Sequence, residues 1–246
     1  MKKLLSTIIL IWGLASLNAN PITAAEILRK VDENLLAETQ SAQMKMIVHG
    51  RRNARTMIMQ TYSRGQQDSF TEYLKPAREQ GTKMLKLADN LWIYSPTTDR
   101  TIKISGHMLR QSVMGSDLSY EDLMSDTELQ ENYDAKILGE EEFQQRTCWK
   151  LELIANNEQQ AYAKRLIWID QERFVTLQEK LYGLSGTLLK ESVVQEVFQV
   201  EDRWLPKHFI FRDALKDGKG TEIIFLEIKF NHKLPQNIFS KAALRK

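Results

Sequence analysis

GTKMLKLADNLWIYSPTTDRTIKISGHMLRQSVMGSDLSYEDLM, residues Gly81 to Met124, is the stretch that decides the fold. Three short apolar runs, Lys83 to Leu87, Leu91 to Tyr94 and Thr101 to Ile104, are separated by Ala-Asp-Asn and Ser-Pro-Thr-Thr-Asp. Both separators are turn chemistry, so the runs read as a meander of antiparallel strands. After Ile104 the alternation stops, yet Met108, Leu109, Val113, Met114, Leu118, Leu123 and Met124 keep the connection apolar. A solvent-facing loop gains nothing from such residues, which implies that they cover something. Ser119 with Asp122 fits a helix start, and the helix is predicted to run from Ser119 to Asp126. The stretch therefore reads as a wall followed by its lid.

The same two periods recur along the chain. Thr23 with Glu26 fits a capping box, and Ile27, Leu28, Val31, Leu35 and Leu36 then recur at helical spacing, predicting an amphipathic helix over Thr23 to Glu38. Beyond Thr39 the period becomes two, with Met44, Met46 and Val48 leading into Gly50-Arg51-Arg52-Asn53, and Met57 and Met59 leading out. Later runs are Trp149-Leu151-Leu153, Leu166-Trp168, Val175-Leu177, Phe209-Phe211 and Ile224-Leu226-Ile228-Phe230, with turns at Gly183 to Gly186 and Asp217 to Gly220. About ten or eleven strands joined by short reversals predict a mainly β (α+β) chain: one large curled antiparallel sheet, a half-open β-barrel whose concave hydrophobic face is covered by helices. Interleaved charges such as Lys45, Lys103, Lys150 and Glu152, and the lack of aromatic girdles, argue against an outer-membrane barrel.

The first residues set the compartment. Lys2 and Lys3, the apolar run Leu4 to Leu17 and the small residues Asn18 to Ala25 read as a secretory signal peptide over residues 1–19, with the cut falling somewhere in 17–25. No cysteine lies near the cut, so the expected product is a soluble periplasmic protein, not a lipoprotein, with one domain over 20–246. The chain carries 34 Lys and Arg against 32 Asp and Glu. Losing Lys2 and Lys3 makes it neutral, which gives nucleic acid no field to follow. Cys148 is the single cysteine, so no intrachain disulfide forms and the core must hold the fold.

Every methionine except Met1 falls between Met44 and Met124. Flexible, polarizable methionines make a surface that adapts to varied apolar ligands. The predicted cavity wall is Met44, Met46, Met57, Met59, Leu85, Leu87, Trp92, Tyr94, Ile102, Ile104, Leu151, Leu153 and Trp168; the predicted lid is Leu28, Val31, Leu35, Met108, Met114, Leu118, Leu123 and Met124. Trp92 and Tyr94 share one strand face and Leu91 and Ile93 the other, and alternation does not choose the inner one. No serine elbow, phosphate-cradling loop or paired metal-binding histidine motif occurs, and His49, His107, His208 and His232 are scattered. Catalysis, metal and cofactors are not expected. The acidic group Asp117, Glu121, Asp122 and Asp126 reads as helix-start chemistry.

At LKPAREQGTK (74–83), LWIYSP (91–96) and MGSDLSYEDL (114–123) the chain resembles the LolA-like family of outer-membrane lipoprotein-sorting proteins. The resemblance implies a half-open barrel with a helical lid, a hydrophobic cavity, and periplasmic traffic of lipid or lipoprotein acyl chains, without catalysis. It also implies an inner-membrane permease and an outer-membrane acceptor as partners, by association, and a monomeric carrier. The competing reading is a non-catalytic envelope scaffold that docks an inner-membrane transporter. Cavity volume separates the two.

Overall fold

The computed structural model describes residues 22–50, 52–124, 129–157 and 160–245. The signal-peptide reading of residues 1–19, and the readings of Arg51 and Asp126, lie outside them. Helix α1 (Ala24–Leu35) opens the described chain. Thr23 caps it as the sequence predicts: the Glu26 N–H donates to Thr23 Oγ1 at 3.2 Å and the Thr23 N–H to Glu26 Oε2 at 2.8 Å. It ends at Leu35, three residues short of the predicted Glu38, because Leu36 is already extended.

Thirteen strands follow: β1 (Thr39–His49), β2 (Ala54–Arg64), β3 (Asp68–Lys75), β4 (Lys83–Leu87), β5 (Asn90–Ser95), β6 (Arg100–Ile104), β7 (Tyr133–Phe143), β8 (Arg146–Ala155), β9 (Lys164–Asp170), β10 (Thr176–Tyr182), β11 (Leu188–Val200), β12 (Arg203–Asp213) and β13 (Thr221–Phe230). β3, β7 and β11 are the additions to the runs that alternation announces. β7 and β11 bury one residue each, and β3 buries Phe70 on one face and Tyr73 on the other, so none of the three shows a clean alternation. All strands pair antiparallel in one sheet, ordered β6-β5-β4-β3-β2-β1-β13-β12-β11-β10-β9-β8-β7. β6 and β7 do not pair, so the curled sheet stays open between them. Between β6 and β7 in the chain come Ser105 to Met124, ending in α2 (Tyr120–Met124), and α3 (Leu129–Asn132).

Two elements cover the inner face. Ile27, Leu28 and Val31 of α1 bury against Tyr133, Leu151, Leu153, Ile167 and Ile169, which fills the β7 to β9 half. Burying each large aliphatic side chain contributes about 1.5–3 kcal/mol, so this contact anchors the helix. The turn under it is fixed by Asp170, which accepts from Arg146 Nε at 2.8 Å and Nη2 at 2.9 Å and from the Glu172 N–H at 2.9 Å. Over the β1 to β4 half, Met46, Met57, Met59, Tyr73 and Met84 meet Val113 of the connection. Among the described residues no helix is long and apolar enough to cross a membrane, which says nothing about strands.

The outer face is also covered over β4 and β5. Phe70, Leu85, Leu87, Trp92 and Tyr94 pack against the C-terminal residues Ile238, Phe239, Ala243 and Leu244, with Lys241 Nζ 4.4 Å from the Trp92 ring centre. β4 and β5 are therefore sandwiched, lid on one side and tail on the other. Leu244 is fully buried. Leu244→Ala should cost about 2–5 kcal/mol, read as a lower urea midpoint.

A pH prediction follows from Asp170. Burial alone would raise its carboxyl; the Arg146 guanidinium and the N–H groups of Glu172 and Arg173 outweigh burial and hold it below the ordinary range. A depressed folded pKa contributes stability above the unfolded value of about 4, and this is lost as pH falls through the folded value. Asp170→Asn should lower stability at neutral pH and flatten the acid limb of a midpoint-versus-pH profile.

Candidate apolar cavity beneath the lid

The cavity grows out of strand register. Met44 faces Met59 across β1 and β2, Met46 faces Met57, and on the other side of β1 they face Phe225 and Ile223 of β13. The row continues through Tyr73 opposite Met59, Met84 opposite Thr71, and Lys86 opposite Leu91. Above it hangs a small hairpin in which Ser112 bridges Ser119, with the Val113 N–H on the Leu118 carbonyl at 2.8 Å and the Tyr120 N–H on the Gln111 carbonyl at 3.1 Å. Its tip turns at Met114 and Gly115, both at positive φ (51° and 72°).

Between wall and lid lies a cavity of about 240 Å³, lined by Met44, Met46, Met59, Thr61, Ser69, Thr71, Tyr73, Met84, Lys86, Leu91, Val113, Leu118, Leu123, Phe209, Ile223 and Phe225. At Ser69, Lys86 and Leu123 it adjoins a vestibule of about 290 Å³, which also takes in Leu35, Leu36 and Gln66. A wider, more polar groove of about 840 Å³, lined by Glu38, Arg64, Asp68 and Glu131, lies outside that. The cavity alone is smaller than the roughly 300–1,000 Å³ usual for a small-molecule site, and with its vestibule it reaches that range.

Polar struts hold the lid. Arg55 donates to the Met114 carbonyl while its Nη1 stands 3.4 Å from Glu79. Asp117 accepts from Thr221 Oγ1 at 2.7 Å and from the Asp213 N–H at 3.2 Å, and Lys190 donates to the Asp117 carbonyl. Ser119 and Asp122 form the reciprocal cap at the α2 start, with the Ser119 N–H on Asp122 Oδ2 at 2.6 Å and the Asp122 N–H on Ser119 Oγ at 3.2 Å. Tyr162 donates its hydroxyl to the same carboxylate, and burial, then that charge, push its phenol pKa up. Lys86 Nζ donates to the Met124 carbonyl at 3.3 Å, closing the far end.

The structure brings only part of the sequence-predicted site together. Met44, Met46 and Met59 line the cavity, Met57 is buried in the same cluster, and Ile104 and Ile102 sit on the same face at the β6 edge, Ile102 half exposed. Leu85, Leu87, Trp92 and Tyr94 do not line it: they are on the outer face under the C-terminal tail. Leu151 and Leu153 are on the inner face but lie beneath α1, away from the cavity. Trp168 points outward opposite Lys150, its Nε1 donating to Glu141 at 2.7 Å. Among the lid residues, Leu118 and Leu123 line the cavity and Met114 packs on its cluster. Leu35 borders the vestibule, whereas Leu28 and Val31 are on the buried face of α1, packed against β7 to β9. Met108 is half-buried in a 3-10 turn, and Met124 contributes its carbonyl to Lys86. Sequence reasoning missed Tyr73, Met84, Phe209, Ile223 and Phe225 as lining residues; only cross-strand register places them there. It also missed a meeting of histidines: His49 and His208, far apart in the chain, both bond Glu222, at 2.6 and 2.8 Å. No group of three His, Cys, Asp or Glu among the described residues is placed to hold a metal.

The comparisons with known proteins agree with this geometry. A family model described as an uncharacterized protein matches residues 65–246. A solved domain from Vibrio parahaemolyticus, described as an outer membrane lipoprotein-sorting protein, is 25% identical with a TM-score of 0.77, covering 90% of this chain and 97% of that one. A LolA superfamily protein from Nitrosomonas europaea is 25% identical with a TM-score of 0.75, covering 91% and 100%. The chain belongs to the LolA-like family. A DUF1329 family protein from Desulfovibrio piger, 22% identical with a TM-score of 0.79, covering 89% and 96%, shares the fold. No curated protein matches the sequence. As in this LolA-like chain's relatives, the sheet is curled and unclosed.

The struts make the lid testable. Asp117→Ala removes the Thr221 and Asp213 contacts and should cost about 1–3 kcal/mol. Hydrogen exchange should then accelerate at the Val113 and Tyr120 amides while the β8 and β9 amides stay protected.

Proposed function

We propose that this chain is a non-catalytic carrier that holds lipid or lipoprotein acyl chains between the methionine wall and the lid, in transit through the periplasm toward the outer membrane. The observation that carries this reading is the cavity itself: the space under the lid is lined mainly by methionine, aliphatic and aromatic side chains and is not filled by them. A filled interior would have favoured the scaffold reading. Burying hydrocarbon contributes about 0.8 kcal/mol per CH2, on the order of 10 kcal/mol for a long chain, so retention needs little polar recognition. Methionine suits such a wall because it repacks around chains of different shape.

Family membership supports the same direction, since the relative from Vibrio parahaemolyticus is described as a lipoprotein-sorting domain. The reading of residues 1–19 as a cleaved signal peptide and 20–246 as one carrier domain fits it. So does a monomer that receives cargo from an inner-membrane permease and hands it to an outer-membrane acceptor.

Native mass spectrometry and lipid extraction of protein purified from periplasm should find acyl-bearing molecules bound. Protein that is always empty and takes up no fluorescent fatty acid would rule the carrier out. Leu118→Asp places a carboxylate on the cavity lining, where burial is costly, and should weaken fatty-acid uptake about tenfold or more with a smaller effect on melting temperature. Equal losses of both would make Leu118 a mere packing residue.

A further inference from the structure

Leu184 and Leu215 are the most exposed large apolar side chains among the described residues, at 93% and 68%. They are not scattered. Leu184 is in the turn between β10 and β11 and Leu215 in the turn between β12 and β13, and the Ala214 N–H donates to the Leu189 carbonyl at 2.8 Å, so the two turns lie side by side at one rim of the sheet. The β1 to β2 turn comes next along that rim, because Val48 pairs with Thr221 where β13 begins. It is closed by the Gly50 N–H on the Asn53 carbonyl at 3.0 Å and carries Arg52. Turn geometry calls for glycine, serine, aspartate or asparagine, which these turns also supply, so neither leucine is needed to reverse the chain.

The charge around the leucines is mostly of one sign. Across the described residues of the three turns, exposed Arg52, Lys216 and Lys219 stand against one exposed acid, Asp217. Projecting leucines among cations match a surface that is anionic on top and apolar beneath, which is an anionic lipid bilayer. A protein partner fits less well. Stable protein interfaces bury roughly 1,200–2,000 Å² over a contiguous patch, whereas these are single side chains on separate turns. The strands behind the turns offer no free edge, since β1, β2 and β10 to β13 are each paired on both sides. A bilayer demands no matching shape and admits side chains one at a time. The same rim mounts the lid: Lys216 Nζ reaches Ser112 Oγ at 3.1 Å, and the Asp213 N–H donates to Asp117 at 3.2 Å. Lys216 is therefore already engaged, which leaves Arg52 and Lys219 as the cations to vary.

We propose that this rim docks on an anionic lipid bilayer, with Leu184 and Leu215 entering the boundary between headgroups and acyl chains and Arg52 and Lys219 meeting the lipid phosphates. The docking surface is separate from the cavity and goes beyond the carrier reading. Its failure would leave that reading untouched, because vesicle binding does not depend on what the cavity holds.

The test is co-sedimentation of the full-length protein with vesicles of phosphatidylethanolamine and phosphatidylglycerol, and with vesicles of phosphatidylcholine alone. All variants share residues 1–19, so differences among them report the turns. The wild type should bind the anionic vesicles about tenfold more tightly than the zwitterionic ones. Leu184→Ser with Leu215→Ser should weaken binding to the anionic vesicles about tenfold or more. Arg52→Gln with Lys219→Gln should bring it down to the zwitterionic level. All four side chains are exposed, so both pairs of substitutions should leave the melting temperature unchanged. Leu184→Cys carrying an environment-sensitive dye, with Cys148 buried and unlabelled, should shift its emission to the blue on anionic vesicles only. Equal sedimentation of the wild type and the leucine pair, no preference for the anionic vesicles, or an unshifted dye would each overturn the docking rim. So would a wild-type dimer that the leucine pair dissociates, which would give the surface to a second copy of the chain.

Discussion

An unclosed sheet of thirteen strands has one physical problem that the remaining parts of the chain address: its inner face is apolar and its own side chains do not meet across it. A barrel that closes tightly fills its interior, and an open one must import a cover. Here the cover is divided. Helix α1 docks on β7 to β9 with close aliphatic packing, and the Ser112 to Ser119 hairpin stands over the methionine strands, held around its turn by polar contacts at Met114 and Asp117. The first contact is a core and the second encloses a space. The division follows the residues supplied to each half: Ile and Leu where packing is dense, Met where it is not.

Much of this was legible in the sequence because it depends on local chemistry. The capping boxes at Thr23 and Ser119 and the hairpin between β1 and β2 are set by spacing alone, and the structure places each where spacing puts it, whereas of the expected lid residues only Leu118 and Leu123 reach the cavity lining. The inner face of β4 and β5 was not legible, for a definite reason. Alternation reports one buried face, and these strands have two, since the C-terminal residues Ile238 to Leu244 cover Trp92 and Tyr94 from outside. Long-range register was equally hidden: nothing near Tyr73 in the chain announces Met59 or Val113 as neighbours. The meeting of His49 and His208 at Glu222 belongs to the same class, being made by strand order and not by sequence spacing.

The mixture of forces at the lid bears on how it works under the carrier reading. Hydrogen bonds such as Asp117 to Thr221 and Arg55 to Met114 contribute only about 0.5–1.5 kcal/mol net, more where charge is involved, because their groups regain water when they separate. Apolar contact at Val113 and Leu118 is different, since exposing it costs in proportion to area. An acyl chain entering the cavity replaces that contact instead of exposing it. Opening without cargo therefore pays for both kinds of interaction, whereas opening around cargo gives up mainly the polar struts. Under the carrier reading, the arrangement would bias the empty protein toward a closed lid and let hydrocarbon itself lower the cost of opening.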